Sequence, residues 1–295
     1  MQSSWIAKSI AFDGKVRIIF MDNTHLLQQL FNRRTMSPVM KEALGRTVSA
    51  AGLIAGLLKE PQQMSLKIKT SSPGANIFAD ADVSGNVRGY LSEEWFQLPS
   101  DGLSLEQIIG SRGTMQVVQE TGMKRMFTGI TDMPYANITD DISHYYGQSE
   151  QTLTWVTINL CIDHQKQRVS SSRGILAQLL PGGNPGLMQQ VKEMVNGSDF
   201  MLSRYQQDKA HHELLLSPPG GGAILETKPL QWYCECSKEM LSGMLLSLDR
   251  EELASLVLQA EPAEVVCSHC GEKYRFSPIE IQSLLDILQG RRTIP

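Results

Sequence analysis

The sequence predicts an α+β protein in three parts: a mixed α/β core domain over residues 1–180, a helical linker over 181–229 that docks on the core, and a small cysteine-bearing domain over 230–295. Three observations lead there. Strand-like apolar runs cluster around one long helix signal before residue 180. Short polar helix signals bounded by Gly and Pro come next, and such helices are marginal without a partner surface. Four of the five cysteines then fall in two tight pairs near the C-terminus. With 295 residues, 41% of them hydrophobic and 20% charged, the chain reads as soluble and globular with ample core material.

In the core domain, Ser37 can cap, and Pro38 open, a helix that runs to about Lys59 and stops before Pro61. Its small residues Ala43, Gly45, Ala50, Ala51, Gly52, Ala55 and Gly56 point to close packing on a sheet rather than to a ligand site. Strands are predicted in MSLKIKT (64–70), NIFADADV (76–83) and NVRGYLS (86–92), the last two joined as a hairpin at Ser84-Gly85. TMQVVQ (114–119), KRMFTGI (124–130), TLTWVTINLCID (152–163) and RGILAQLL (173–180) supply four more. Asp80, Asp82, Ser84 and Gly85 open like a calcium loop. The twelfth position is Leu91, where a bidentate glutamate is required, so calcium is rejected.

The linker holds LMQQVKEMV (187–195), with a narrow stripe of Leu187, Val191, Met194 and Val195. MLSRYQQDKAHHELLL (201–216) can be helical again before SPPGGG (217–222) breaks it. In the last part, Asp249 with Glu252 forms a capping box for REELASLVL, and Ser277, Pro278 and Glu280 open PIEIQSLLDILQG. EVVC and KYRFS read as short strands about a cysteine turn, with Gly271 free to take a positive φ. A part this small buries little core without a staple.

The cysteines are that staple. Cys234 and Cys236, in QWYCECSKEM, are spaced C-x-C; after 30 residues come Cys267 and Cys270, in VVCSHCGEKYRF, spaced C-x-x-C. Four converging thiolates match tetrahedral zinc, one ion per chain in the reduced form, and leave no open position for a substrate water. An iron–sulfur cluster would share the ligands, less often at this spacing. Zinc could supply about 10–16 kcal/mol of folding free energy. His269 sits inside the second pair, but four sulfurs already fill the shell. His25, His144, His164, His211 and His212 show no ligand spacing beyond one adjacent pair, whose side chains diverge on a helix. Cys161 reads as a small buried hydrophobe outside the cluster. A bridge across C-x-C is strained and readily reduced. Bridges between such close neighbours would replace the metal while tying together little of the fold, so the domain would unfold. That is the behaviour of a switch.

Charge and motifs exclude other classes. Residues 232–295 hold six basic and ten acidic side chains and so carry the whole net charge of −4, a poor match for phosphate backbones; no nucleic-acid partner is expected. A zinc-ribbon nucleic-acid module would need the basic patch that is missing here. A thiol–disulfide oxidoreductase would need a thioredoxin-like βαβ unit around its cysteines, which the tail does not offer. No Walker loop occurs. MQSSWIAKSIAFDGKVRIIF lacks the regions of a secretory signal and no apolar run could span a bilayer, so a cytoplasmic location and no membrane partner are expected. There thiols stay reduced, and clustered cysteines mean metal or redox chemistry before structural disulfides.

Taken together, CECSKE, VVCSHCGEKYRF, SPVMKEALGRTVSAAGLIAGLLK, FADADVSGNVRGY and GILAQLLPGG resemble a family of bacterial redox-regulated holdase chaperones, the 33 kDa heat-shock protein family, over the whole chain. The chain departs from it at Ser171 and Ser172, where small apolar residues are usual, at Met240, often basic, and at His269, commonly aromatic. The resemblance implies a chaperone without catalytic turnover, ATP-independent. Reduced and with zinc on Cys234, Cys236, Cys267 and Cys270, it would be monomeric and nearly inactive. Peroxide with mild unfolding stress, or hypochlorous acid, would release zinc and form the Cys234–Cys236 and Cys267–Cys270 disulfides. The zinc-binding redox-switch domain and the linker would then unfold, and a homodimer would hold unfolding or oxidatively damaged client proteins.

Overall fold

The computed structural model describes residues 3–99, 102–121, 125–163, 165, 168–196, 219–259, 261–267 and 269–288. Two compact units divide the chain between Tyr233 and Cys234. Within the first, β1 (Trp5–Ala11), β2 (Val16–Asp22), β8 (Thr154–Asp163), β9 (Arg168–Leu179) and β10 (Ala223–Pro229) form an antiparallel sheet in the order β10-β1-β2-β9-β8. A second sheet has the order β11-β5-β4-β3-β6-β7, built from β3 (Gln63–Lys69), β4 (Asn76–Asp82), β5 (Asn86–Leu91), β6 (Thr114–Glu120), β7 (Met126–Asp132) and the short parallel β11 (Gln231–Trp232). Helices α1 (Thr24–Phe31), α2 (Pro38–Ala55), α3 (Leu105–Ile109), α4 (Ile138–Ser149) and α5 (Gly186–Asn196) complete this unit among the described residues. None of the described helices is long and apolar enough to cross a membrane.

Helix α2 explains the architecture. It touches strands of both sheets and is buried almost all round, as a helix apolar on every side must be. Its small residues let the first sheet approach: a Cβ on Gly45 would lie 2.7 Å from Leu160 Cδ2, and one on Gly52 2.9 Å from Met21 Sδ. The helix ends at Ala55, short of the expected Lys59. The amides of Gly56, Leu57 and Leu58 bond to the carbonyls of Leu53, Ile54 and Ala55, three residues back, which tightens the last turn and terminates it.

The seven strand runs predicted from sequence all appear, β9 starting five residues earlier at Arg168. The sequence reading missed β1 and β2, and the reason is burial on both faces. Along β2, Ile19 and Met21 join the core around α2, whereas Val16, Ile18 and Phe20 pack with Met188, Val191 and Val195 of α5. Both faces being apolar, the polar–apolar alternation that signals a strand is lost. On α5 the inward row is Met188, Val191 and Val195, with Leu187 beside it and Met194 turned outward, which corrects the predicted stripe. The helix expected over 201–216 lies outside the described residues. Residues 223–229, assigned to the linker on sequence, run as β10 along β1.

A polar knot is buried where β2, α1, α2 and β9 meet. Arg173 Nε donates to Asp22 Oδ2 at 3.0 Å, Asn23 Nδ2 to Ser49 Oγ at 2.8 Å, and the Ser172 amide to Thr24 Oγ1 at 2.8 Å. Ser49 and Ser172 hydroxyls lie 3.4 Å apart, which gives the unusual Ser172 a partner inside the core.

The carboxylates of the rejected calcium loop are committed to the β4–β5 hairpin. Asp82 Oδ1 accepts from the Ser84 and Asn86 amides, while Asp80 accepts from Arg88 Nε and Ser65 Oγ. Gly85 turns this hairpin at φ +86°, and a Cβ there would collide with the Pro229 carbonyl oxygen. Gly85→Ala is therefore expected to cost about 1–3 kcal/mol, read as a lower urea midpoint at unchanged m-value. An unchanged midpoint would mean that the turn is not held as described.

Candidate metal centre

The second unit is small: α6 (Lys238–Leu245), α7 (Arg250–Leu258), the β12 (Ala263–Val266) and β13 (Lys273–Phe276) hairpin, and α8 (Pro278–Leu288). Its described apolar core is Leu241, Leu245, Leu253, Phe276, Ile281 and Leu285. The local signals read from sequence are present. Asp249 and Glu252 make a reciprocal capping box on α7, and the Ser277 amide and hydroxyl both donate to Glu280 at the start of α8. Ser237 caps α6 by accepting from the Met240 amide.

Those elements carry two cysteine turns. Cys234 and Cys236 lie in the extended stretch that leads into the Ser237 cap. Cys267 comes directly after β12, and its turn is closed by the Gly271 amide on the Cys267 carbonyl (2.8 Å) and the Cys267 amide on the Glu272 carbonyl (2.9 Å). Gly271 takes φ +73°, as the sequence requires for this turn. The Glu272 amide then donates to Cys270 Sγ at 3.4 Å. All four sulfurs lie within 4.8 Å of one another, with Cys236 and Cys270 3.4 Å apart and Cys234 and Cys267 3.9 Å apart. Tetrahedral zinc–thiolate bonding sets its sulfurs about 3.8 Å apart, so these residues fit such an ion.

Electrostatics leads to the same conclusion. Burial pushes the Cys234 and Cys270 thiols up. At Cys236 burial also acts upward, but hydrogen bonds from Tyr274 and the neighbouring sulfurs outweigh it and hold that thiol below its ordinary value. Four thiolates this close repel one another strongly, so the cluster either keeps its protons or gives them up to a cation.

Among the described residues, these cysteines form the one group of three or more candidate ligands, and His269 is not part of it. Cys161 stands apart in β8. It is half-buried rather than fully buried, at an irregularity of the β8–β9 ladder, with its sulfur 3.3 Å from Asn159 Oδ1. His144 lies against Asp132 (3.4 Å), and His164, His211 and His212 fall outside the described residues. The sequence reading missed Tyr274, whose hydroxyl is 3.2 Å from Cys236 Sγ and donates to the Cys236 carbonyl at 3.0 Å. The available signal was an aromatic four residues after the last cysteine, on a strand leaving its turn.

Known proteins resemble this chain in sequence and fold. A family profile described as Hsp33 protein matches residues 5–277. The 33 kDa chaperonin of Shouchella clausii is 30% identical over 293 residues, covering 98% of this chain and 99% of its own. That of Bacillus subtilis is 29% identical over 286 residues, covering 96% and 98%. In fold, the crystal structure of the 33 kDa chaperonin from Thermotoga maritima matches with a TM-score of 0.83 at 23% identity, covering 98% of this chain and all of that one. The sheets, the four-cysteine unit and a match running from β1 to the cap of the last helix all agree: the chain belongs to the Hsp33 family of 33 kDa chaperonins.

Proposed function

We propose that the chain is a redox-switched, ATP-independent holdase that keeps unfolding or oxidatively damaged proteins from aggregating. It is a chaperone, not an enzyme. The observation that carries the redox part is the packing of four sulfurs within 4.8 Å in a unit with so few buried apolar side chains. Zinc, one per chain, would hold the four thiolates together and provide most of that unit's stability.

Peroxide reacts with the sulfurs in two balanced steps. A thiolate attacks one peroxide oxygen, the O–O bond breaks, hydroxide leaves and a sulfenic acid forms. The neighbouring sulfur then displaces hydroxide from it and closes the S–S bond, two electrons having passed from sulfur to peroxide. We assign the products as Cys234–Cys236 and Cys267–Cys270. Each bridge closes a loop too short to constrain the unfolded chain, so the unit loses its metal and gains little. With mild unfolding stress added, unfolding spreads into the linker over 181–229 and exposes apolar surface of the 1–180 core, and the active form dimerises. The protein acts in the cytoplasm, where such thiols rest reduced.

The test is light scattering of a chemically unfolded client diluted without ATP into zinc-loaded reduced protein, or into protein treated with peroxide at raised temperature. Suppression by the oxidised sample alone, reversed by dithiothreitol plus zinc, is the expected result. Equal failure of both folded samples would make the cysteines a structural staple only.

A further inference from the structure

The contacts of Tyr274 deepen the redox reading of the cluster, and the role assigned to this residue rests on that reading. Tyr274 sits on β13 opposite Val265, and its hydroxyl reaches Cys236 although the two are 38 residues apart in sequence. Its single hydroxyl meets two atoms of that residue: the carbonyl oxygen at 3.0 Å and the sulfur at 3.2 Å. A phenol has one proton to give and the carbonyl can only accept. While Cys236 keeps its thiol proton, both contacts are satisfied: S–H donates to the phenol oxygen and O–H donates to the carbonyl. A sulfur that has surrendered its proton to a metal can only accept. The phenol's single proton is then drawn to the sulfur, whose full negative charge outcompetes the neutral carbonyl for it.

We propose that Tyr274 is the positioning residue of the Cys236 sulfur: its O–H donates to the metal-bound thiolate, draws density from it, and slows its attack on hydrogen peroxide. The other sulfurs are served differently. Cys270 accepts from the Glu272 amide at 3.4 Å, a backbone contact that no side-chain substitution removes. Tyr274 is thus the side chain through which oxidation of the C-x-C pair is set independently of the C-x-x-C pair. The step affected is the attack on peroxide, in which the sulfur bonds to one oxygen and hydroxide departs. Thiolate nucleophilicity follows the electron density on sulfur with a coefficient near one half, so loss of one charge-assisted hydrogen bond raises the rate roughly threefold.

The experiment uses the full-length zinc-loaded protein and substoichiometric peroxide, with timed alkylation and mass spectrometry of the peptides that carry Cys236 and Cys267. In Tyr274→Phe the oxidation of Cys236 relative to Cys267 is expected to rise roughly threefold over wild type. The thiolate-to-metal charge-transfer band of the cobalt-substituted protein should shift with it, which a merely structural role would not produce. A ring-fluorinated tyrosine at position 274 keeps the shape and strengthens the donor, so it should lower the ratio, and this variant decides the matter if Tyr274→Phe fails to hold metal. Bound zinc and oxidisable cysteines, with ratio and band unchanged in either variant, overturn the role of Tyr274 alone. Cysteines that bind no zinc, or resist peroxide altogether, overturn the redox reading and this proposal together.

Discussion

Stripping zinc from the reduced protein with a high-affinity chelator is expected to unfold residues 234–288 and to leave both sheets of the first unit intact. The reason is one of scale. The second unit buries Leu241, Leu245, Leu253, Phe276, Ile281 and Leu285, with Cys267 and Cys270 beside them, and little else among its described residues. Its ion pairs, such as Lys238–Glu280 at 2.6 Å and Lys273–Glu264 at 2.7 Å, are solvent-exposed and screened, so they add little. Zinc binding, at about 10–16 kcal/mol, exceeds anything such a core supplies. Cys270→Ser should act in the same direction, because three sulfurs leave the shell incomplete. Hydrogen exchange reads the result directly: amides of α6, α7, β12, β13 and α8 should lose protection while those of β2 and β9 keep theirs. Protection that survives chelation would show that the unit folds without a metal.

A large effect is also expected within the first unit. Asp22→Ala should destabilise the first unit by about 3–5 kcal/mol, because it leaves the Arg173 guanidinium buried without its carboxylate. The Arg173 side chain is 2% exposed and that of Asp22 12% exposed, so water cannot replace the lost partner. The loss should appear as a fall of roughly 10 °C in the thermal midpoint. Replacing both residues, as Asp22→Leu with Arg173→Met, should restore much of it, since the charge and its counter-charge leave together. The Thr24 amide, which donates to Asp22 Oδ1 at 3.1 Å, would still lack its acceptor, so full recovery is not expected. A cost below about 1 kcal/mol for Asp22→Ala would mean that the pair is open to solvent.

The features legible in the sequence are those set by short-range interactions. The four-cysteine cluster was legible because cysteines are scarce here and the local turns impose their spacing. The caps at Asp249 and Ser277 and the positive φ at Gly271 were legible for the same reason: each depends on residues a few positions apart. Long-range partners were not. Asp22 and Arg173 are 151 residues apart, and Tyr274 and Cys236 are 38 apart; no periodicity connects either pair. Strand β10 escaped for a different reason. AILETKP is an edge strand whose side chains are mostly exposed, so it carries no apolar signature and is defined by its backbone bonds to β1.

On the proposed function, that edge strand bears on how the switch would respond to its stimuli. Going backwards from Cys234, the chain is latched twice before it reaches residue 222. Trp232 lies under the Arg33 guanidinium, 3.9 Å from the ring centre, with the Tyr233 amide on the Val87 carbonyl and the Gln231 amide on that of Gly85. Beyond it, β10 is paired with β1 from Pro229 to Ala223. Collapse of the cysteine unit does not in itself release either latch, because neither draws on a sulfur. On the proposed function, oxidant would arm the molecule, and thermal agitation strong enough to peel an exposed edge strand would fire it. Towards peroxide this would make the chain a coincidence detector, responsive to oxidation and unfolding heat arriving together.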